Sequence, residues 1–171
     1  MSAIAPPLAA SGWRWLPIAA LVVAADQAAK YWMQQHFLPF ERVRLLPVLD
    51  VILTYNTGAA FSFLAEASGW QRWLFVLLAV AVSATLIVWL RRLSAATQAL
   101  VACGLSLIVG GALGNMIDRV RLGHVIDFIY AHWDTHYFPA FNVADSAITV
   151  GAALLLLDAW LGSRGAHRES A

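Results

Sequence analysis

Asp127 and Asp145 are the residues of this chain best suited to acid–base chemistry. Asp127 sits among Val125, Ile126, Phe128, Ile129 and Tyr130, an acid inside apolar neighbours. Asp145 lies in Phe141-Asn-Val-Ala-Asp-Ser146, at the opening of an apolar run. A carboxylate in the first turn of a helix is favoured by the dipole, so a capping role explains Asp145 as simply as chemistry does. Brought together in a poorly hydrated site, the two carboxylates cannot both ionise. One then keeps a proton while the other is a base. With that division of labour the carboxylate activates water, and the acid polarises a carbonyl or protonates a leaving nitrogen. The spacing allows this convergence without requiring it.

Other polar groups stand where charge is expensive. Asp26 and Lys30 are four residues apart and share a helix face, either as a self-neutralising pair at an interface or as a brace for a neighbouring site. Asp118 and Arg119 are adjacent, so each needs its own partner. Asn115 shares the face of Asp118, and Gly110, Gly111 and Gly114 would let another helix come close. Asn56, Asn115 and Asn142 are neutral donors and acceptors, cheaper to bury than ions. Among the histidines (His124, His132, His136), His132 and His136 have ligand-like spacing, but no HExxH pattern exists and the segment reads as an interfacial loop, so no metal site is expected. A serine–lysine pair would need Ser146 or Ser62 to reach Lys30. For these serines, as for Tyr55 and Tyr130, hydroxyls satisfying helix ends or loops are the simpler reading.

The elements that must hold these residues are membrane helices. The 171 residues are 61% hydrophobic and 12% charged, far from an ordinary soluble domain. Apolar runs at about 15–33, 72–90, 97–116 and 143–161 each approach the roughly 20 residues a bilayer core requires. Trp13, Trp15, Trp32, Trp73, Trp89 and Trp160 fall near the run ends, where amphipathic rings settle. The first run ends in Asp-Gln-Ala-Ala-Lys rather than a small-residue cleavage site, so it reads as a retained anchor. Between the first two runs, Val48 to Phe63 is rich in strand formers with turn residues Asn56 and Gly58, predicting short surface strands. The predicted fold is thus an all-α membrane protein: four transmembrane helices with a small extracytoplasmic β-rich segment between helices 1 and 2. The division is a tail at 1–14, one membrane domain at 15–162 with outer segments at about 34–71 and 117–142, and a polar tail at 163–171. Arg14, Arg91 and Arg92 in short flanks favour cytoplasmic termini. The net charge of +1 and the lack of a basic run argue against a nucleic-acid partner, and the single cysteine, Cys103, forms no internal disulfide.

Five blocks in this order resemble bacterial lipoprotein signal peptidase (signal peptidase II). They are Asp26-Gln-Ala-Ala-Lys30, Asn56-Thr-Gly-Ala-Ala-Phe61-Ser, Gly114-Asn115-Met-Ile-Asp118-Arg119, Gly123-His-Val-Ile-Asp127-Phe128 and Phe141-Asn142-Val-Ala-Asp145-Ser146. The resemblance covers nearly the whole membrane portion and leaves out the first fifteen residues and the tail after about 162. It implies an aspartyl endopeptidase without metal or other cofactor, which removes signal peptides from diacylglyceryl-modified prolipoproteins before the lipidated cysteine. The family's catalytic pair falls on Asp127 and Asp145, and its supporting residues fall on Asp26, Lys30, Asn56, Gly58, Asn115, Asp118, Arg119 and Asn142. It further implies a monomer in the bacterial inner membrane, active near the outer face, with membrane lipid and globomycin-type inhibitors as partners.

Two other classes fit the composition. In a small proton-coupled transporter or channel, Asp26, Asp118, Asp127 and Asp145 would form a relay. In a structural subunit of a membrane complex, the polar residues would join helices.

Overall fold

Long runs of Leu, Val and Ala without interior proline make helices, and in this computed structural model they end where the chemistry changes. Residues 6–7, 10–58 and 69–169 are described, with side chains to 163. A 3-10 turn, Gly12–Trp15, leads into α1 (Leu16–His36), which has proline in its first turn, where its missing N–H costs nothing. Then follow β1 (Arg42–Leu46), β2 (Leu49–Asn56), α2 (Trp70–Arg92), α3 (Ala99–Leu122), β3 (Val125–Trp133), β4 (His136–Tyr137) and α4 (Val143–Glu169). Among the described residues, three helical stretches are long and apolar enough to cross a membrane: Trp70–Arg92, Ala99–Leu122 and Val143–Ser163.

Helix α3 is the hub, packing against α1, α2 and α4. Its glycines explain how. A Cβ on Gly110 would stand 2.8 Å from the Ala19 carbonyl of α1, and one on Gly111 would stand 2.3 Å from the Ala144 carbonyl of α4. Gly104 and Gly151 face each other in the same way, a Cβ on either meeting the other's carbonyl oxygen. Lipid offers helices no hydrophobic reason to associate, so backbone approach of this kind supplies the dispersion contact. Gly123 ends α3 with φ +87, its N–H donating to the Arg119 carbonyl, a left-handed cap that only glycine adopts without penalty. At the opposite end, the chain before α1 is tied to the α2–α3 turn. Gly12 N–H donates to Leu93 O at 2.9 Å, Ala95 N–H to Ala10 O at 2.9 Å, and the Trp15 indole to Ala95 O at 3.1 Å.

The strands form one antiparallel sheet in the order β1-β2-β3-β4. The segment between α1 and α2 is strand-rich, as expected. The outer segment 117–142 holds the last turns of α3 and then half of the sheet, so the histidine stretch within it, read as an interfacial loop, is instead the end of β3 and β4. Asp118 and Arg119 accordingly lie inside α3. The apolar run after Gly123 becomes a strand because β2, some seventy residues earlier, supplies the ladder, with Thr54 opposite Asp127 and Asn56 opposite Val125. The sheet buries Leu53, Ile126 and Phe128 against Met33 of α1. At this junction the N–H groups of Phe128 and Ile129 both donate to Phe141 O, at 3.0 and 2.8 Å. Two residues facing one mark a bulge, and a bulge turns side chains across a strand. It lets Phe128 enter the core while Asp127 and Tyr130 both face a cavity on the other side.

Candidate active site

Asp145 is fixed by the start of its own helix. Asn142 precedes α4 and accepts the Asp145 N–H on Oδ1 at 2.9 Å, while Asp145 Oδ2 accepts the Asn142 N–H at 3.3 Å. This is a reciprocal capping box, and it holds both side chains in one geometry. The other Asp145 oxygen accepts the Asn115 amide at 2.7 Å. Asn142 Nδ2 also donates to Asp127 Oδ1 at 2.7 Å and reaches Asn115 Oδ1 at 3.1 Å. Asn56, at the end of β2, donates to Asp127 Oδ2 at 3.2 Å and accepts the Gly58 N–H at 3.0 Å. Three asparagines therefore grip two carboxyls. Both acids line one cavity of about 820 Å³, open between sheet, α3, α4 and the 138–141 segment.

Burial first, then the neighbouring charge of Asp145, pushes Asp127 up to about 7, against the opposing pull of the Asn56 and Asn142 amides and of Lys30. Near neutral pH the pair therefore holds a proton between them, the state in which one carboxyl can act as acid and the other as base.

Beneath the pair lies a fully buried charge network. Lys30 Nζ meets Asp26 and Asp118, each at 2.8 Å, and donates to Asn115 Oδ1 at 3.0 Å. These use all three ammonium protons. Asp26 also accepts the Ala144 N–H at 2.9 Å and so holds the first turn of α4. Asp118 accepts the Ile126 N–H at 3.2 Å, steering β3 one residue before Asp127. The Asp26–Lys30 pair is thus not closed on itself: Lys30 also serves Asp118, and Asp26 also holds the backbone of α4. Arg119 Nη2 donates to Gly58 O at 3.0 Å and the guanidinium lies over Phe75, tying the loop after β2 to α2 and α3. Residues 59–61 of the Asn56–Phe61 block, and Ser62, lie outside the described residues.

Every predicted site residue therefore converges on one end of α3. Gln27 belongs there too, although it was not singled out from the sequence: its amide reaches Asp118 at 2.8 Å, Gly114 O at 3.2 Å and Asp26 at 3.3 Å. Its position one turn before Lys30 was the only available signal. Thr54 and Ile52 of the cavity wall were equally silent, because their partner strand is remote in sequence. Among the described residues, the alternative nucleophile Ser146 does not reach Lys30. Ser146 donates to Asn142 O at 2.9 Å, and Lys30 has no donor left for it. His132 and His136 lie on adjacent strands, the first buried and the second exposed. Among the described residues, no three His, Cys, Asp or Glu groups come together that could hold a metal ion.

Fold and site define a mostly helical membrane enzyme with a small antiparallel sheet covering a two-carboxyl cavity. Residues 18–161 match the family model described as signal peptidase (SPase) II. The chain is 56% identical over 148 residues to the lipoprotein signal peptidase of Pseudomonas fluorescens strain Pf0-1, covering 85% of each chain. It is 55% identical over 146 residues to that of Pseudomonas aeruginosa strain PAO1, covering 84% of this chain and 86% of the relative. A bacterial membrane enzyme solved by the in meso method at 2.3 Å superposes with a TM-score of 0.78 at 30% identity, covering 88% of this chain and 89% of the other. This chain belongs to the signal peptidase II family, an aspartic peptidase family of bacterial membranes. That membership leaves the transporter reading without support.

Proposed function

We propose that this protein is an aspartyl endopeptidase that removes the signal peptide from diacylglyceryl-modified prolipoproteins, with Asp127 and Asp145 as its catalytic pair. The observation that carries this reading is the shared grip of Asn142 on both carboxyls within one cavity. One carboxylate draws a proton from water. The water oxygen attacks the scissile carbonyl, and the partner acid delivers its proton to the leaving nitrogen. Asp26, Lys30, Asn56, Gly58, Asn115, Asp118, Arg119 and Asn142 position the pair and the loop beside it.

In this reading α1 is a fourth span. Its 21 residues suffice in length, and the charges that lower its hydropathy, Asp26 and Lys30, are buried against α3 instead of facing lipid. The termini are cytoplasmic and the sheet lies at the outer face, consistent with Arg14, Arg91 and Arg92 in short flanks at the far end. A signal peptide is a lipid-embedded helix whose amides bond internally, so it must unwind to be cut. The asparagines and the sheet offer the partners that unwinding demands. Acyl chains add roughly 0.8 kcal/mol per buried methylene, a handle for the lipidated cysteine. The enzyme works as a monomer, and globomycin-type cyclic peptides would block the same cavity.

The test is cleavage of a diacylglyceryl-modified precursor by purified protein, with EDTA present. Wild type should cut, while Asp127→Asn and Asp145→Asn should each lose at least about a thousandfold with the fold retained. Cleavage by both variants would remove the pair from the mechanism.

A further inference from the structure

Tyr130, which lines the cavity, also touches a second polar cluster that the proposed reaction does not use. Asp50 is fully buried there, bonded by Arg42 Nε at 2.5 Å and also by Arg42 Nη2. Arg44 Nε stands 3.6 Å from its other oxygen. His132 Nε2 is 3.3 Å from that oxygen, within ion-pair range but outside hydrogen-bond geometry. The Arg42 guanidinium lies over the Tyr137 ring at 4.5 Å and the Tyr130 ring at 5.5 Å, and the two rings stack at 5.0 Å. Its Nη2 donates to the Tyr137 hydroxyl at 2.5 Å. The stacked rings and guanidinium form a rigid platform, held by a carboxylate no solvent reaches.

Charge and position say what the platform suits. Two guanidiniums face one carboxylate, leaving a positive surplus. Its outer member, Arg44, is 67% exposed. The nearby Glu41 is turned back onto the Leu38 N–H at 2.8 Å. Tyr130 belongs to both places, lining the cavity with Asp127 and Asp145 while carrying Arg42 on its ring. It is three residues from Asp127 along β3, about 10 Å of strand, and an extended peptide covers that distance in about three residues.

We propose that Tyr130, Tyr137 and Arg42, with Arg44 at the rim, form a subsite for residues two to four after the lipidated cysteine, and that it favours acidic side chains there over basic ones. This rests on the peptidase reading above: the signal peptide follows the helices, so the mature chain leaves across the sheet. Its backbone and side chains pack on the tyrosine faces, and a carboxylate in the mature chain pairs with Arg44.

Three diacylglyceryl-modified precursors, differing only in Asp, Ser or Lys at positions two to four after the cysteine, test this with the full-length protein in micelles. The expected order of kcat/KM is Asp over Ser over Lys, about fivefold between the extremes and shrinking with added salt. Arg44→Glu should reverse that order. Arg42→Gln combined with Asp50→Asn, which removes the ion pair without stranding a buried charge, should flatten it. Equal rates in wild type, or an order unchanged in both variants, overturns the subsite and leaves the peptidase reading intact. An order that follows the anionic lipid added to the micelles instead of the precursor assigns the cluster to headgroups and also overturns it. Failure of wild type to cut any of the three overturns the reading beneath.

Discussion

Two groups of carboxylates lie at the same end of α3, and the fold treats them in opposite ways. Asp26 and Asp118 share the Lys30 ammonium at 2.8 Å each and are closed off from solvent. Among the described residues, Asp127 and Asp145 are held by asparagine amides and a backbone N–H, with no cation in hydrogen-bond contact, and they open into the cavity. Residue type does not separate the two groups, since all four are aspartates in apolar surroundings. The partner does. A buried carboxylate held by an ammonium serves as scaffold, whereas one held by neutral amides and opening into a cavity is free to meet a substrate.

The contrast breaks most severely at Lys30. Lys30→Met leaves Asp26 and Asp118 buried together without their cation and should cost about 3–5 kcal/mol, visible as a collapse of the melting temperature in detergent. Activity should go with it. Gly111→Ala comes next. A Cβ 2.3 Å from the Ala144 carbonyl must force α4 from α3, at about 1–3 kcal/mol by thermal melting, and moves the capping turn that carries Asp145. Asn142→Ala joins the two kinds of loss. It removes a helix cap worth about 1 kcal/mol, and it frees both carboxyls, so activity should fall far more than stability does.

The smallest effect has the opposite sign. Asp127 is raised to about 7 in the folded protein, so the folded state binds its proton more tightly than the unfolded chain does. Stability is therefore lost as pH rises from about 4 to about 7, and ionised Asp127 stays unfavourable above that. Asp127→Asn should melt at a higher temperature than wild type at pH 8, with the gain shrinking as pH falls toward 4, although the variant is inactive. Wild-type activity should decline above about pH 7 as the pair loses its shared proton. A variant less stable than wild type at pH 8 would show that the amide contacts outweigh the buried charge.

The sequence by itself determined the helices and the identity of the polar residues. Uninterrupted apolar runs of about 20 residues satisfy their backbone in lipid as helices, and ionised groups within or beside them must find partners. Asp26, Lys30, Asn115, Asp118, Asp127, Asn142 and Asp145 were legible because each is a costly exception in its own neighbourhood. What the tertiary structure alone decided was which carboxylates share a cation, how far α3 runs, and where the second half of the sheet comes from. β3 could not be read from 117–142 because a strand's ladder partner is not local, and β2 lies on the far side of two helices in the chain. The roles of Gln27 and Tyr130 were hidden for the same reason. A glutamine on a helix or a tyrosine in an apolar run costs nothing where it stands, and acquires meaning only from what the fold brings against it.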